Sequence, residues 1–202
     1  MEKTTTPERE IRQIRSTARE LKTREEEGQG RHIEGYFAVV ETETELWPGV
    51  YEEIASGAFA KTLGNDIRAL INHDTTLVLG RNKSGTLELR EDSHGLWGRV
   101  AINEGDTEAV NVYERVKRGD VDQCSFGFNI VAEEVDWNYK GNGSVKFRIM
   151  EIDLHEVSVC TFPAYEDTSI QARHNEVDQY RARMLEQRKQ RGKERLKECL
   201  NN

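Results

Sequence analysis

Long apolar stretches are missing from this 202-residue chain. No run approaches the roughly 18 apolar residues of a membrane helix, and the N-terminus lacks a basic segment followed by a hydrophobic one, so neither a membrane span nor a secretory signal is expected. The protein is expected to work inside the cell. Cysteine is scarce too. Cys124, Cys160 and Cys199 are widely spaced and form no C-x-x-C pair, which leaves neither a disulfide framework nor a closed zinc site and makes reduced thiols the expectation. Cys124, His155 and Cys160 do not match the short ligand spacings of zinc modules, so no metal or cofactor is expected. A G-x-S-x-G elbow is also absent, which excludes the α/β-hydrolase signature.

Charge is abundant and unevenly placed. Residues 1–31 carry eight basic and seven acidic side chains, and residues 173–202 carry nine and five. The intervening residues 32–172 hold twelve basic and twenty-five acidic groups, a formal net of −13. Such a surface repels phosphate backbones, so a nucleic-acid-binding core is not expected and proteins are the natural partners. Three parts follow: a charged arm and linker (1–31), a core domain (32–172) and a charged tail (173–202).

In the arm, Pro7 followed by Ile11, Ile14, Ala18 and Leu21 has helical spacing on a charged background, and a helix is expected up to the glycine-bearing linker at 25–30. From residue 32 the period changes to short apolar runs separated by turns, at 33–41, 49–54, 69–72, 86–90, 96–102, 123–133, 144–149 and 151–161, which are mainly β signals. Two helices are expected among them. One is capped at Ser56 and buries Phe59 and Leu63. The other is capped at Asp106, buries Val112, Tyr113 and Val116, and stops at Gly119. Asn142-Gly143 marks the tip of a hairpin that separates the run bearing Ser125 from the run bearing Glu156. The tail from His174 suits a solvated helix or a disordered extension.

Three residues inside apolar runs stand in the order His73, Ser125, Glu156. A serine hydroxyl is a poor nucleophile until a base takes its proton, and an imidazole base needs a partner that fixes its tautomer and stabilises its cation. Ser125, His73 and Glu156 supply these roles. Each also has a plain structural alternative: Ser125 as a small strand residue, His73 as a strand-end cap, and Glu156 as a carboxylate turned to solvent or paired. Cys124 is a rival nucleophile, but neighbours on a strand face opposite ways and only one of Cys124 and Ser125 can meet His73. A non-enzymatic assembly protein remains a reading of the same residues. Trp47 and Trp97 are expected to be packing groups.

Gly35-Tyr36-Phe37-Ala38-Val39, the block 51–59, Ala69-Leu70-Ile71-Asn72-His73-Asp74 with Gly80-Arg81, Gln123-Cys124-Ser125-Phe126-Gly127-Phe128, and Leu154-His155-Glu156-Val157-Ser158-Val159 leading into Pro163-Ala164 together resemble the prohead protease family of tailed bacteriophages. The resemblance covers about residues 33–172 and neither charged end contributes to it. It implies an α+β, mainly β fold similar to herpesvirus assemblin, with a closed or partly closed barrel flanked by helices. It also implies a serine endopeptidase that enters the procapsid in the host cytoplasm and removes scaffold, or a scaffold-like part of the major capsid protein, with self-cleavage and a homodimer as further implications. On the matching positions Ser125 is the nucleophile, His73 the base and Glu156 the third member. His155 competes with Glu156 for that third place, since adjacent strand residues face opposite ways. In assemblin-like enzymes the oxyanion hole comes from the segment after the third member; here that segment is 160–164, where Pro163 has no N–H to give, and the donors stay unassigned.

Overall fold

The run of alternating apolar residues from residue 30 onward forms extended strands in the computed structural model, which describes residues 12–15, 21–28, 30–162 and 167–200. In chain order these are β1 (Arg12–Arg15), β2 (Lys22–Glu26), β3 (Gly30–Val39), β4 (Thr44–Trp47), β5 (Val50–Ile54), β6 (Arg68–Ile71), β7 (Asp74–Arg81), β8 (Leu87–Glu91), β9 (Gly95–Ala101), helix α1 (Thr107–Arg118), β10 (Gln123–Tyr139), β11 (Ser144–Cys160) and helix α2 (Asp167–Leu200).

The strands form two sheets. In the larger, β10 and β11 make a long antiparallel hairpin with β1 outside β10, while the outer edge of β11 is divided between two parallel partners. Residues Val145–Ile149 of β11 pair with β5, and Glu156–Val159 pair with β6. β4 pairs with β5, and β7 with β6. The smaller sheet runs β2-β3-β9-β8 and is antiparallel throughout. One core joins them: Ile33, Phe37, Leu96 and Val100 of the smaller sheet cluster with Phe126, Phe128, Leu154 and Val157 of the larger and with Val112, Tyr113 and Val116 of α1. Burial of this apolar surface is the main stabilising term.

Among the described strands no ladder joins the two sheets and none closes either one, so no closed barrel is found. β11 divides its outer edge between β5 and β6, and the larger sheet forks there. The mainly β character stands, and the two helices observed are α1 and α2.

Helix α1 follows its local signals. Asp106 Oδ1 accepts hydrogen bonds from the Glu108 and Ala109 amides, and Gly119 closes the helix at φ 83°, a left-handed conformation that glycine adopts without steric cost. The helix expected from Ser56 does not form. Residues 56–64 make successive turns with i→i+3 bonds, such as Thr62 N–H to Phe59 O at 3.0 Å. Gly57 at φ 88° breaks any helical ladder, and Glu91 takes the Gly57 and Phe59 amides. Phe59 is still buried. In the arm, Arg12–Arg15 and Lys22–Glu26 are strands where a helix was expected, because β2 finds a ladder partner in β3, and tertiary pairing overrides weak helical spacing. The glycines of the expected linker shape the β2–β3 turn, with Gly28 at φ 83° and Gly30 at φ 77°. The rest of the expected helix, 7–11 and 16–20, lies outside the described residues.

In the C-terminal unit, residues 166–202, the described residues form α2 (Asp167–Leu200). Its side chains from Asp178 to Glu194 are mostly exposed.

The two strands β3 and β9 approach so closely at Gly95 that a Cβ there would lie 2.0 Å from Ala38 O. Gly95→Ala is therefore expected to destabilise the protein by about 1–3 kcal/mol, the range for overpacking, read as a Tm lowered by several degrees in thermal unfolding.

Candidate active site

His73 stands in a turn that leaves it little freedom. Ile71 and Asp74 pair across the β6–β7 hairpin, so Asn72 and His73 are its two loop residues, with φ 50° and 62°. Positive φ at both central residues is what a tight type I′ hairpin requires, and Asn and His tolerate it better than most residues. Three bonds fasten this turn to the end of β11: Asn72 N–H to Val159 O at 3.0 Å, Thr161 N–H to Asn72 Oδ1 at 3.0 Å, and His73 N–H to Ser158 Oγ at 3.2 Å.

Its side chain meets Glu156. His73 Nδ1 lies 2.7 Å from Glu156 Oε1, and the two side chains are only 12% and 13% exposed. The other carboxylate oxygen, Oε2, accepts the Ser158 hydroxyl at 2.6 Å. Ser158 thus donates to the carboxylate and accepts from the backbone of the histidine. A hydrogen bond to a carboxylate in a mostly buried place is a strong, geometry-fixing one.

Strand register explains why these groups share one face. On β11, Glu156, Ser158 and Cys160 alternate with the core residues Val157 and Val159. Across the ladder, Ser125 of β10 is paired with Ser158, and Gly127 with Glu156. Directly opposed residues point to the same side, so Ser125, Gly127, Glu156 and Ser158 lie together while Cys124 and Phe126 turn into the core. Ser125 is fully buried. A Cβ at Gly127 would lie 2.4 Å from Glu156 Oε1 and 3.1 Å from its carboxyl carbon. The glycine therefore makes room for the carboxylate.

The partner of His73 Nδ1 is Glu156, and His155 sits differently. The pairing of β10 with β11 steps from Gly127↔Glu156 to Phe128↔Leu154, which makes His155 the extra residue of a β-bulge. Its Nε2 is buried without a hydrogen-bond partner.

Two thiols lie close by. Cys124 is buried and its Sγ–H donates to Tyr36 O at 3.0 Å, across to β3. Cys160 Sγ is 3.7 Å from His73 Nε2, a neighbour that spacing alone did not reveal. Burial, and then the Glu156 charge, push the Cys160 thiol up to about 12. A thiol held in its neutral form is a weak nucleophile. Sequence reasoning also missed Ser158, although its i+2 spacing from Glu156 on a strand placed it on the same face.

Residues 19–183 match the family model described as caudovirus prohead serine protease. The chain belongs to that family. The match extends beyond the five sequence blocks at both ends and takes in β2 and half of α2. The prohead protease of Enterobacteria phage HK97 is 33% identical over 123 residues, which cover 59% of this chain and 51% of that protein, so the match spans about half the length of this curated relative. Among solved structures, that of the bacteriophage T4 capsid assembly protease, gp21, covers 75% of this chain and 98% of its own, with a TM-score of 0.47 and 11% identity.

Two outcomes follow from the site's geometry. Gly127→Ala is expected to drive the Glu156 carboxylate away from His73 beyond hydrogen-bond reach, visible in a crystal structure of the variant; an unchanged 2.7 Å contact would contradict the packing described here. Cys160 is expected to resist iodoacetamide at pH 7.5 in the folded protein and to react fully once unfolded, as peptide mass mapping would record.

Proposed function

We propose that this chain is a serine endopeptidase of phage prohead maturation, in which Ser125 is the nucleophile, His73 the general base and then acid, and Glu156 the group that orients the base. The observation that carries this reading is the His73 Nδ1–Glu156 Oε1 contact at 2.7 Å, held from behind by Ser158, whose ladder partner across β10 is Ser125. Glu156 accepts the Nδ1 proton, which leaves the Nε2 lone pair free to act as base. This tautomer is assigned from the hydrogen bond.

The chemistry then runs in two halves. Ser125 Oγ bonds to the scissile carbonyl carbon as its proton passes to His73 Nε2, and Glu156 stabilises the imidazolium that forms. Collapse of the tetrahedral species breaks the C–N bond while Nε2–H protonates the leaving amine. Water, deprotonated by the same nitrogen, next cleaves the acyl ester and restores Ser125. The Thr161 amide already donates to Asn72 Oδ1, so it serves the turn and not a developing oxyanion.

The substrate in this reading is scaffold or the scaffold-like part of the major capsid protein, met inside the procapsid in the host cytoplasm. The name of the curated relative, a prohead protease, favours that setting. The catalytic body extends from β2 to the end of β11, since β2 pairs into the smaller sheet, with charged arms at either end. A non-catalytic assembly factor is the second reading, in which the same polar cluster only packs.

Incubation with the capsid or scaffold protein encoded beside this one, followed by intact-mass analysis, separates the readings. Wild type and Cys160→Ala are expected to produce fragments, whereas Ser125→Ala loses at least about 1,000-fold in rate. Loss of cleavage in Cys160→Ala with retention in Ser125→Ala would move the nucleophile to the thiol. Intact chains throughout, even with assembled procapsids, would favour the assembly factor.

A further inference from the structure

Ser125 lies on a strand whose outer edge is covered by the same chain. β1 pairs antiparallel with the first part of β10 in the register Arg12↔Phe128, Gln13↔Gly127, Ile14↔Phe126 and Arg15↔Ser125. Without β1, this stretch of β10 is the edge of the larger sheet, since its other side is taken by β11. An exposed edge presents a row of N–H and C=O groups that any extended backbone can satisfy. A protease needs such a row next to its nucleophile, because the peptide must be held extended for the carbonyl to reach the attacking oxygen.

Charge points the same way. Residues 12–15, Arg-Gln-Ile-Arg, carry two positive groups and no negative one, while residues 32–172 have a formal net of −13. A basic extended segment is therefore attracted to this body before any pairing forms.

We infer that the outer edge of β10 from Ser125 to Phe128 is the docking edge for substrate, which binds as an added antiparallel strand, and that residues 12–15 occupy this edge in the intact chain as an internal competitor. The inference rests on the proposed function for the meaning of "substrate", but the docking edge itself is a matter of pairing. A tethered competitor acts at an effective concentration of the order of millimolar. Four paired residues make a short strand, so dense substrate displaces it whereas dilute peptide does not. The kind of partner that fits is an extended, basic-flanked segment whose scissile bond lies opposite Ser125, where Arg15 now stands.

The test uses the full-length chain. Gln13→Pro/Ile14→Pro removes two amide donors from β1, and Arg12→Glu/Arg15→Glu reverses its charge as a second route should the prolines disturb folding. Each is built with Ser125 intact and with Ser125→Ala. In the intact background, kcat/KM on a peptide substrate is expected to rise roughly tenfold or more, mainly through KM. In the Ser125→Ala background, a fluorescent peptide of residues 8–19 is expected to bind the β1 variants, by anisotropy, at least about tenfold more tightly than the chain with β1 unaltered. Equal affinity for altered and unaltered β1, or no binding to any form, would overturn the inference even if wild type cleaves. Tight binding to the variants with no cleavage by any form would keep the docking edge and overturn the protease reading instead.

Discussion

The register between β10 and β11 is the constraint on which the rest depends. It sets Ser125 across from Ser158 and Gly127 across from Glu156, and a slip of one residue would turn every one of these polar groups into the core and bring Phe126 and Val157 to the site. The apolar face enforces the register. Cys124, Phe126, Phe128, Val157 and Val159 are all buried, so any slip would cost several large side chains their burial at once. A hydrophobic core thus fixes a polar site to which it contributes no atom. The bulge at His155 leaves that residue outside the pairing and shifts the register by one beyond it.

The site is further tied together by sharing. Ser158 serves both the carboxylate and the turn that carries the imidazole, and Asn72 binds β11 through its amide and its side chain. Because the same strand end supports both His73 and Glu156, their separation depends on a few short local bonds and not on the summed flexibility of distant loops. This is the kind of support that keeps a functional group within a fraction of an ångström of its working position.

Signals that act over a few residues were legible in the sequence. Asp106, the Val112-Tyr113-Val116 stripe and Gly119 specified α1 from cap to stop, and the alternation around Ser125 and Glu156 marked two strands and the side to which each residue turns. What escaped was decided at long range. Residues 56–64 have a cap and an apolar stripe, yet the Gly57 and Phe59 amides are taken by Glu91 of β8. The arm has helical spacing, but β2 has an edge of β3 to pair with. The strand Asp74–Arg81 begins with Asp-Thr-Thr, and only its pairing with β6 makes it extended. At the site, the three candidate residues and their order were visible from residue types. The proximity of Cys160 to the imidazole, and the carboxylate filling the space above Gly127, depend on side-chain packing that no periodicity records.

The contact between His73 and Glu156 joins residues 83 positions apart, and β6 reaches β11 as a parallel partner, which demands a long crossover. Non-local closure of this kind comes late in folding, because the loop entropy must be met before the contact repays it. During synthesis the imidazole emerges well before its carboxylate exists. The end of the last strand, β11, is also the piece that brings imidazole, carboxylate and turn together. A truncated or half-folded chain accordingly has the imidazole but not the partner that holds it, and the pairing of His73 with Glu156 arrives only with completion of the sheet.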